Sequence, residues 1–117
     1  MILETFRTHC LKKKGVTEET PFGPDTLVYK VKGKMFALTG IDDFTSVNLK
    51  ADPEDAIDLR ERYDAVLPGY HMNKKHWNTV LIDGSIPDRL ILEWLENSYQ
   101  LVVAGLTKKE KAALDRL

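Results

Sequence analysis

A chain of 117 residues, 43% apolar and 30% charged, holds enough material for one core and too little for two domains. Its formal charge of −1 excludes coating of nucleic acid by overall charge, so any phosphate contact has to come from a local patch. The single cysteine, Cys10, excludes an internal disulfide and has no companion at metal-ligand spacing. No signal-like segment opens the chain and no apolar run is long enough to span a bilayer, so the expected setting is the cytoplasm, without membrane contact.

Residues 2–12 read as a first helix. Ile2, Leu3, Phe6 and Cys10 recur at helical spacing, Lys12, Lys13 and Lys14 suit its negative end, and Gly15 stops it. Residues 16–25 follow as a polar connection containing the rigid turn Pro21-Phe22-Gly23-Pro24. A hairpin is expected over 26–32 and 34–38, with Lys32-Gly33 as its two-residue turn. That register pairs Val31 with Lys34, Tyr29 with Phe36 and Leu27 with Leu38. It sends Leu27, Tyr29, Val31, Phe36 and Leu38 inward, and leaves Val28, Lys30, Met35 and Ala37 on the second face.

A third strand spans 45–50, with Val47 and Leu49 inward and Ser46, Asn48 and Lys50 outward. Asp52 and Pro53 open a helix over 53–64 whose buried side holds Ala56, Leu59 and Tyr63. Pro68-Gly69 breaks the chain, and residues 77–82 form a strand buried on both faces toward its end. The longest helix covers 86–104, with Ser85 and Asp88 as a variant capping box and Ile91, Trp94, Leu95, Ser98, Leu101 and Val102 as its stripe. Gly105 ends it. Thr107 and Glu110 have capping-box spacing for a last helix to Leu117. The pattern is one domain, 1–117, of the α+β class: an antiparallel sheet with helices on one side and a partly open second face.

Polar chemistry concentrates in residues 70–82, YHMNKKHWNTVLI. His71 and His76 lack the helical i,i+4 spacing of a metal pair, and His9 comes near them only through the fold, so no metal is expected. No nucleophile–base–acid series accompanies them, and Gly33 and Gly40 are isolated turn glycines rather than a phosphate loop. The reading is therefore of a protein that is not an enzyme and carries no cofactor. Tyr99, in mid-helix, is expected to close a buried hydrogen bond.

Nucleic-acid contact has a firmer basis. Lys30, Lys50, Lys74 and Lys75 suit phosphates; Asn48, Asn73 and Asn78 suit polar edges; Tyr70 and Trp77 suit stacking on exposed bases. The structural alternative for each is ordinary: Trp77 as core, Tyr70 as a loop anchor, and the lysines as solvated turn residues.

Several ordered segments resemble the MmcQ/YjbR-like family of small bacterial proteins. They are Pro21-Phe22-Gly23, Val28-Tyr29-Lys30-Val31 with Gly33-Lys34-Met35-Phe36, and Asn48-Leu49-Lys50-Ala51-Asp52-Pro53. The resemblance continues through Pro68-Gly69-Tyr70-His71-Met72-Asn73-Lys74, His76-Trp77-Asn78 and Ser98-Tyr99. It implies an α+β layout similar to secretion chaperones and frataxin-like folds, and a likeness to double-wing DNA-binding domains. Many relatives have cysteine where Ala51 stands, so thiol chemistry is not implied at that position. The resemblance makes the hairpin around Gly33 and the segment His71–Trp77 the two wings. Its candidate contacts are Lys30, Lys32, Lys34, Asn48, Lys50, His71, Asn73, Lys74, Lys75 and His76, beside the stacking candidates Tyr70 and Trp77. The rival expectation is a protein-interaction module or homodimer using an apolar outer patch of Val28, Met35 and Ala37.

Overall fold

Stretches of period two and of period 3.6 alternate along the chain, and each becomes an element of the computed structural model, which describes residues 1–69 and 72–117. In order these are α1 (Leu3–Leu11), β1 (Val16–Glu19), β2 (Thr26–Val31), β3 (Lys34–Gly40) and β4 (Ser46–Lys50). There follow α2 (Pro53–Arg62), β5 (Val66–Pro68), β6 (Trp77–Leu81), α3 (Asp88–Ala104) and α4 (Lys108–Asp115). The strands form one sheet in the order β1-β2-β3-β4-β6-β5, and every neighbouring pair is antiparallel. The α+β class and its two layers follow from that arrangement.

The core lies between the helices and the inner face of the sheet. Tyr29, Val31, Phe36, Val47, Leu49 and Val80 meet Phe6 and Cys10 of α1, Ile91, Leu95 and Tyr99 of α3, and Leu114 of α4. Phe6 meets Tyr29 and Phe36 meets Tyr99 edge-to-face, with ring centroids 6.0 and 5.3 Å apart. Burying each such side chain contributes about 1.5–3 kcal/mol, which is how the nine residues of α1 hold a helix too short to persist alone. The outer face carries a smaller cluster: Val28, Leu38 and Trp77, flanked by Met35 and Met72.

The hairpin turn is as expected, with Lys32 at φ 51° and Gly33 at φ 76°, the left-handed pair that a twisted two-residue connection needs. Beyond it the register departs from the simple alternation. Val31 pairs with Lys34 and Lys30 with Met35, but Tyr29 then pairs with Ala37, so Phe36 is the extra residue of a bulge. The slip turns Leu38 outward and Ala37 inward, reversing the expected faces of both.

The bulged Phe36 lies just beyond the last β3–β4 pair, Ala37 with Leu49, and a side chain of α3 bridges the two strands there. The fully buried Ser98 hydroxyl donates to the Phe36 carbonyl at 2.5 Å and accepts from the Lys50 N–H at 2.9 Å. Tyr99 then ties the helix to the turn after α1, its hydroxyl donating to the Lys14 carbonyl at 2.6 Å.

Two strands escape sequence reading. Residues 16–19 form β1 rather than a connection, because Val16 and Glu18 face inward while Thr17 and Glu19 face out. Glu18 is anchored where sequence would expect water: its carboxylate accepts from Arg7 at 2.8 and 2.9 Å and from the Tyr29 hydroxyl at 2.7 Å. The Arg7 guanidinium holds the Glu18 carboxyl below its ordinary 4.5. The other, β5, is three residues ending in Pro68, an edge position where the missing N–H is tolerated.

Gly105 caps the C-terminus of α3 as expected, but side-chain N-caps are borne out at one helix of three. Thr107 and Glu110 form the full capping box of α4. Asp52 occupies the N-cap of α2 without a side-chain cap bond. The expected Ser85–Asp88 box is absent: α3 starts at Asp88 behind Pro87, and Ser85 bonds the Asp83 carboxylate instead. No helix among the described residues is long and apolar enough to cross a membrane.

Candidate functional site

Antiparallel pairing gathers three sequence-distant turns at one end of the sheet. The β2–β3 turn lies there; Lys50, the last residue of β4, pairs with Trp77, the first of β6; and Pro68, the last of β5, pairs with Asn78. The Lys32–Gly33 tip and the 69–76 connection therefore share that end. Val16 pairs with Val31, which brings the Lys12–Lys14 turn there as well.

At the 69–76 connection, much of the polar sequence is consumed in folding the turn. The Asn73 carbonyl accepts from the N–H groups of His76 and Trp77 at 3.1 and 3.0 Å, and its side-chain oxygen accepts from the Lys75 N–H at 3.0 Å. The His76 carbonyl accepts from the Ala51 N–H at 2.8 Å, locking the connection to the start of α2. Gly69 is required by close approach: a Cβ there would lie 2.7 Å from the Trp77 Cβ and 2.8 Å from its carbonyl oxygen. Tyr70 and His71, both expected contacts, lie outside the described residues.

The other expected contacts divide by exposure. Trp77 is 7% exposed and packs on Val28 and Leu38, so its ring supports the sheet instead of offering a stacking face. The Asn48 side-chain oxygen accepts from the Thr79 hydroxyl at 2.6 Å, and Lys30 pairs with Glu19 at 3.3 Å. Lys50 is half-buried. Lys32, Lys34, Lys74 and Lys75 are exposed, and none has an ion-pair partner among the described residues. The proposed apolar outer patch is not open: Val28 and Ala37 are fully buried, Ala37 on the inner face.

Sequence reading missed what α4 adds to this end. The Glu110 carboxyl lies below its ordinary value chiefly because the Thr107 N–H and hydroxyl hold it, and further because Lys34 and Lys32 are near. α4 packs at this end of the sheet, where Leu114 and Leu117 lie against Gly15 near Val31 and the Lys14 ammonium donates to the Asp115 carbonyl at 3.3 Å; it brings the exposed Lys108, Lys109 and Lys111 with it. The run TKKEK announces a capped basic helix start, but only the fold decides what it stands beside.

A second feature opens on the helical side. A groove of about 520 Å³ lies between α2 and α3. Leu49, Asn78 and Val80 line it from the sheet, Asp52, Asp55 and Asp58 from the α2 side, and Trp94, Asn97 and Gln100 from α3; Lys50 is also a lining residue. Where α2 ends, Tyr63 meets Trp94 edge-to-face at 5.3 Å. Asn78 is 2% exposed; its amide nitrogen donates to the Ala56 carbonyl at 3.2 Å, and its amide oxygen has no partner. Turning the amide over would set oxygen against oxygen, so the Ala56 carbonyl fixes which end is left unmatched. A buried acceptor in that state costs about 1–3 kcal/mol.

The buried Cys10 thiol is no second centre, because burial pushes its ionisation well above the usual thiol range.

Residues 11–101 match the YjbR family model. YjbR of Escherichia coli K12 is 32% identical over 118 aligned positions that cover both chains in full. YbdF of Escherichia coli O157:H7 is 39% identical over 92 residues, covering 78% of this chain and 75% of that one. Among solved structures, Deinococcus radiodurans DR2400 superposes with a TM-score of 0.90 at 42% identity, over 97% of this chain and 87% of its own. A Pseudomonas syringae protein superposes at 0.72 with 31% identity, covering 86% of this chain and 98% of its own. A match over this much of the chain, with the same strand-and-helix frame, makes the protein a member of the YjbR family.

Proposed function

We propose that the protein is a cytoplasmic, non-enzymatic nucleic-acid-binding module, with DNA as its first ligand, that grips phosphates through the basic end of its sheet. The observation that carries this reading is the convergence there of exposed lysines from separate stretches: Lys32 and Lys34 at the hairpin tip, Lys108 and Lys109 at the start of α4, and Lys74 and Lys75 beyond β5. The hairpin and the 69–76 connection stand about three strand spacings apart, roughly 14 Å, comparable to the ~12 Å width of a B-DNA major groove.

Contact is with the backbone in this reading, because the ring of Trp77 and the side chain of Asn48 are engaged within the protein. The near-neutral total charge limits binding to this patch and makes it weak in salt.

A backbone-amide NMR titration with short single- and double-stranded DNA tests the reading. Saturable shifts at residues 32–34, 73–75 and 107–111 that diminish with added salt are the expected result. Absence of shifts at low salt, or shifts confined to other surfaces, would overturn it.

A further inference from the structure

We infer that the groove between α2 and α3 is a binding site for a small organic ammonium ion with an apolar body. The site is separate from the lysines at the sheet end and does not depend on them. Three independent features converge on that chemistry. First, the groove's volume, about 520 Å³, falls in the ordinary range for small-ligand sites. Its floor and walls include Leu49, Val80, Trp94 and Leu101, which suit an apolar body.

Second, its charged lining is Asp52, Asp55 and Asp58 against Lys50 alone, which favours a cation. Asp58 is partly engaged by Arg62 at 3.3 Å, whereas Asp52 and Asp55 have no ion-pair partner among the described residues. Third, Asn78 supplies the point of recognition. Its amide oxygen is the one buried side-chain polar atom among the described residues that lacks a hydrogen-bond partner. An acceptor asks for an N–H or O–H donor, and an ammonium group supplies N–H donors together with the charge the three carboxylates attract.

The amide oxygen has almost no exposed surface as it stands. Binding therefore requires the amide to turn about its broad terminal torsion, a movement that the Asn78 side-chain amide signal reports directly. Trp94 then faces the body of the ligand, where its ring also favours a nearby cation. An anionic ligand would meet the carboxylates instead, and a neutral hydrocarbon would leave the Asn78 oxygen unmatched.

The test is a ¹⁵N NMR titration of the full chain with three ammonium probes, 2-phenylethylamine, hexylamine and 1,5-diaminopentane, beside 3-phenylpropionate as the anionic control. Saturable shifts of the Asn78 side-chain amide and of the α2 and α3 backbone are expected for at least one amine below about 10 mM, and none for the carboxylate. Asp52→Asn and Asp55→Asn alter exposed or rim positions and should leave the fold intact, while each weakens the amine roughly two- to five-fold. If no amine saturates, if 3-phenylpropionate binds as well, or if a variant carrying both Asp52→Asn and Asp55→Asn binds the amine unchanged, the assignment fails. DNA binding by the lysines is read at different residues, so either result stands without the other.

Discussion

Ser98 and Asn78 are both buried polar side chains on the helical side of the sheet, and they are used differently. Ser98 sits beside the bulged Phe36, just past the last β3–β4 pair, and its hydroxyl both donates to the Phe36 carbonyl and accepts from the Lys50 N–H. Asn78 sits on β6 beneath α2; it donates to Ala56, and its oxygen accepts from no partner among the described residues. Folding explains the whole of Ser98 and only half of Asn78. The difference separates a polar group kept for the fold from one whose second half still awaits a partner.

Substitutions should pull the two apart, beginning with the greater cost. Ser98→Ala leaves the Phe36 carbonyl and the Lys50 N–H without their shared partner, and should lower stability by about 2–4 kcal/mol in urea unfolding. A cost below about 1 kcal/mol would mean the ladder closes without the hydroxyl.

A second saturated group gives a pH signature. Glu18, held by Arg7 and Tyr29, has a depressed carboxyl, so its contribution is full above the unfolded value and is lost as pH falls through the folded one. Glu18→Gln should cost about 1–2 kcal/mol at neutral pH. The gap between variant and parent should then close on acidification below the ordinary value of 4.5. A gap that persisted unchanged at low pH would show that the charge of Glu18 is not what holds Arg7.

Asn78→Leu should do the least. It removes the unmatched acceptor along with a single donor bond, and the change should stay within about 1 kcal/mol of the parent. A loss as large as that of Ser98→Ala would make Asn78 a second structural strut and remove the contrast.

Four of the six strands, the Lys32-Gly33 turn and the α4 cap were legible in the sequence because alternation, the turn dipeptide and the Thr107–Glu110 spacing are local signals. The exchange of Ala37 and Leu38 was not legible. A bulge leaves both strands equally apolar, and the Ser98 hydroxyl that stabilises it comes from more than sixty positions away. The edge strand β1 hid for a related reason: Glu18 looks solvated until Arg7 and Tyr29 close on it.

In the candidate sites, residue type was legible and placement was not. Lys32, Lys34, Lys74 and Lys75 emerge exposed, whereas Trp77 turns into the outer cluster and Asn73 folds its own turn. The lysines of α4 reach this end of the sheet only through docking of the helix on the Gly15 turn, which no local pattern records. Asn78 was visible as a polar residue within a strand, yet its unmatched oxygen depends on where Ala56 of α2 lands.

The basic end of the sheet is the central claim, and the salt dependence of DNA binding tests it most directly. Fluorescence anisotropy of a labelled short duplex should give a log K that falls with log salt at a slope of roughly −3. Replacing Lys32 and Lys34 by glutamate should weaken binding and reduce that slope by roughly 2. A duplex that does not bind at low salt, or binding whose strength and slope survive the double substitution, would contradict the account.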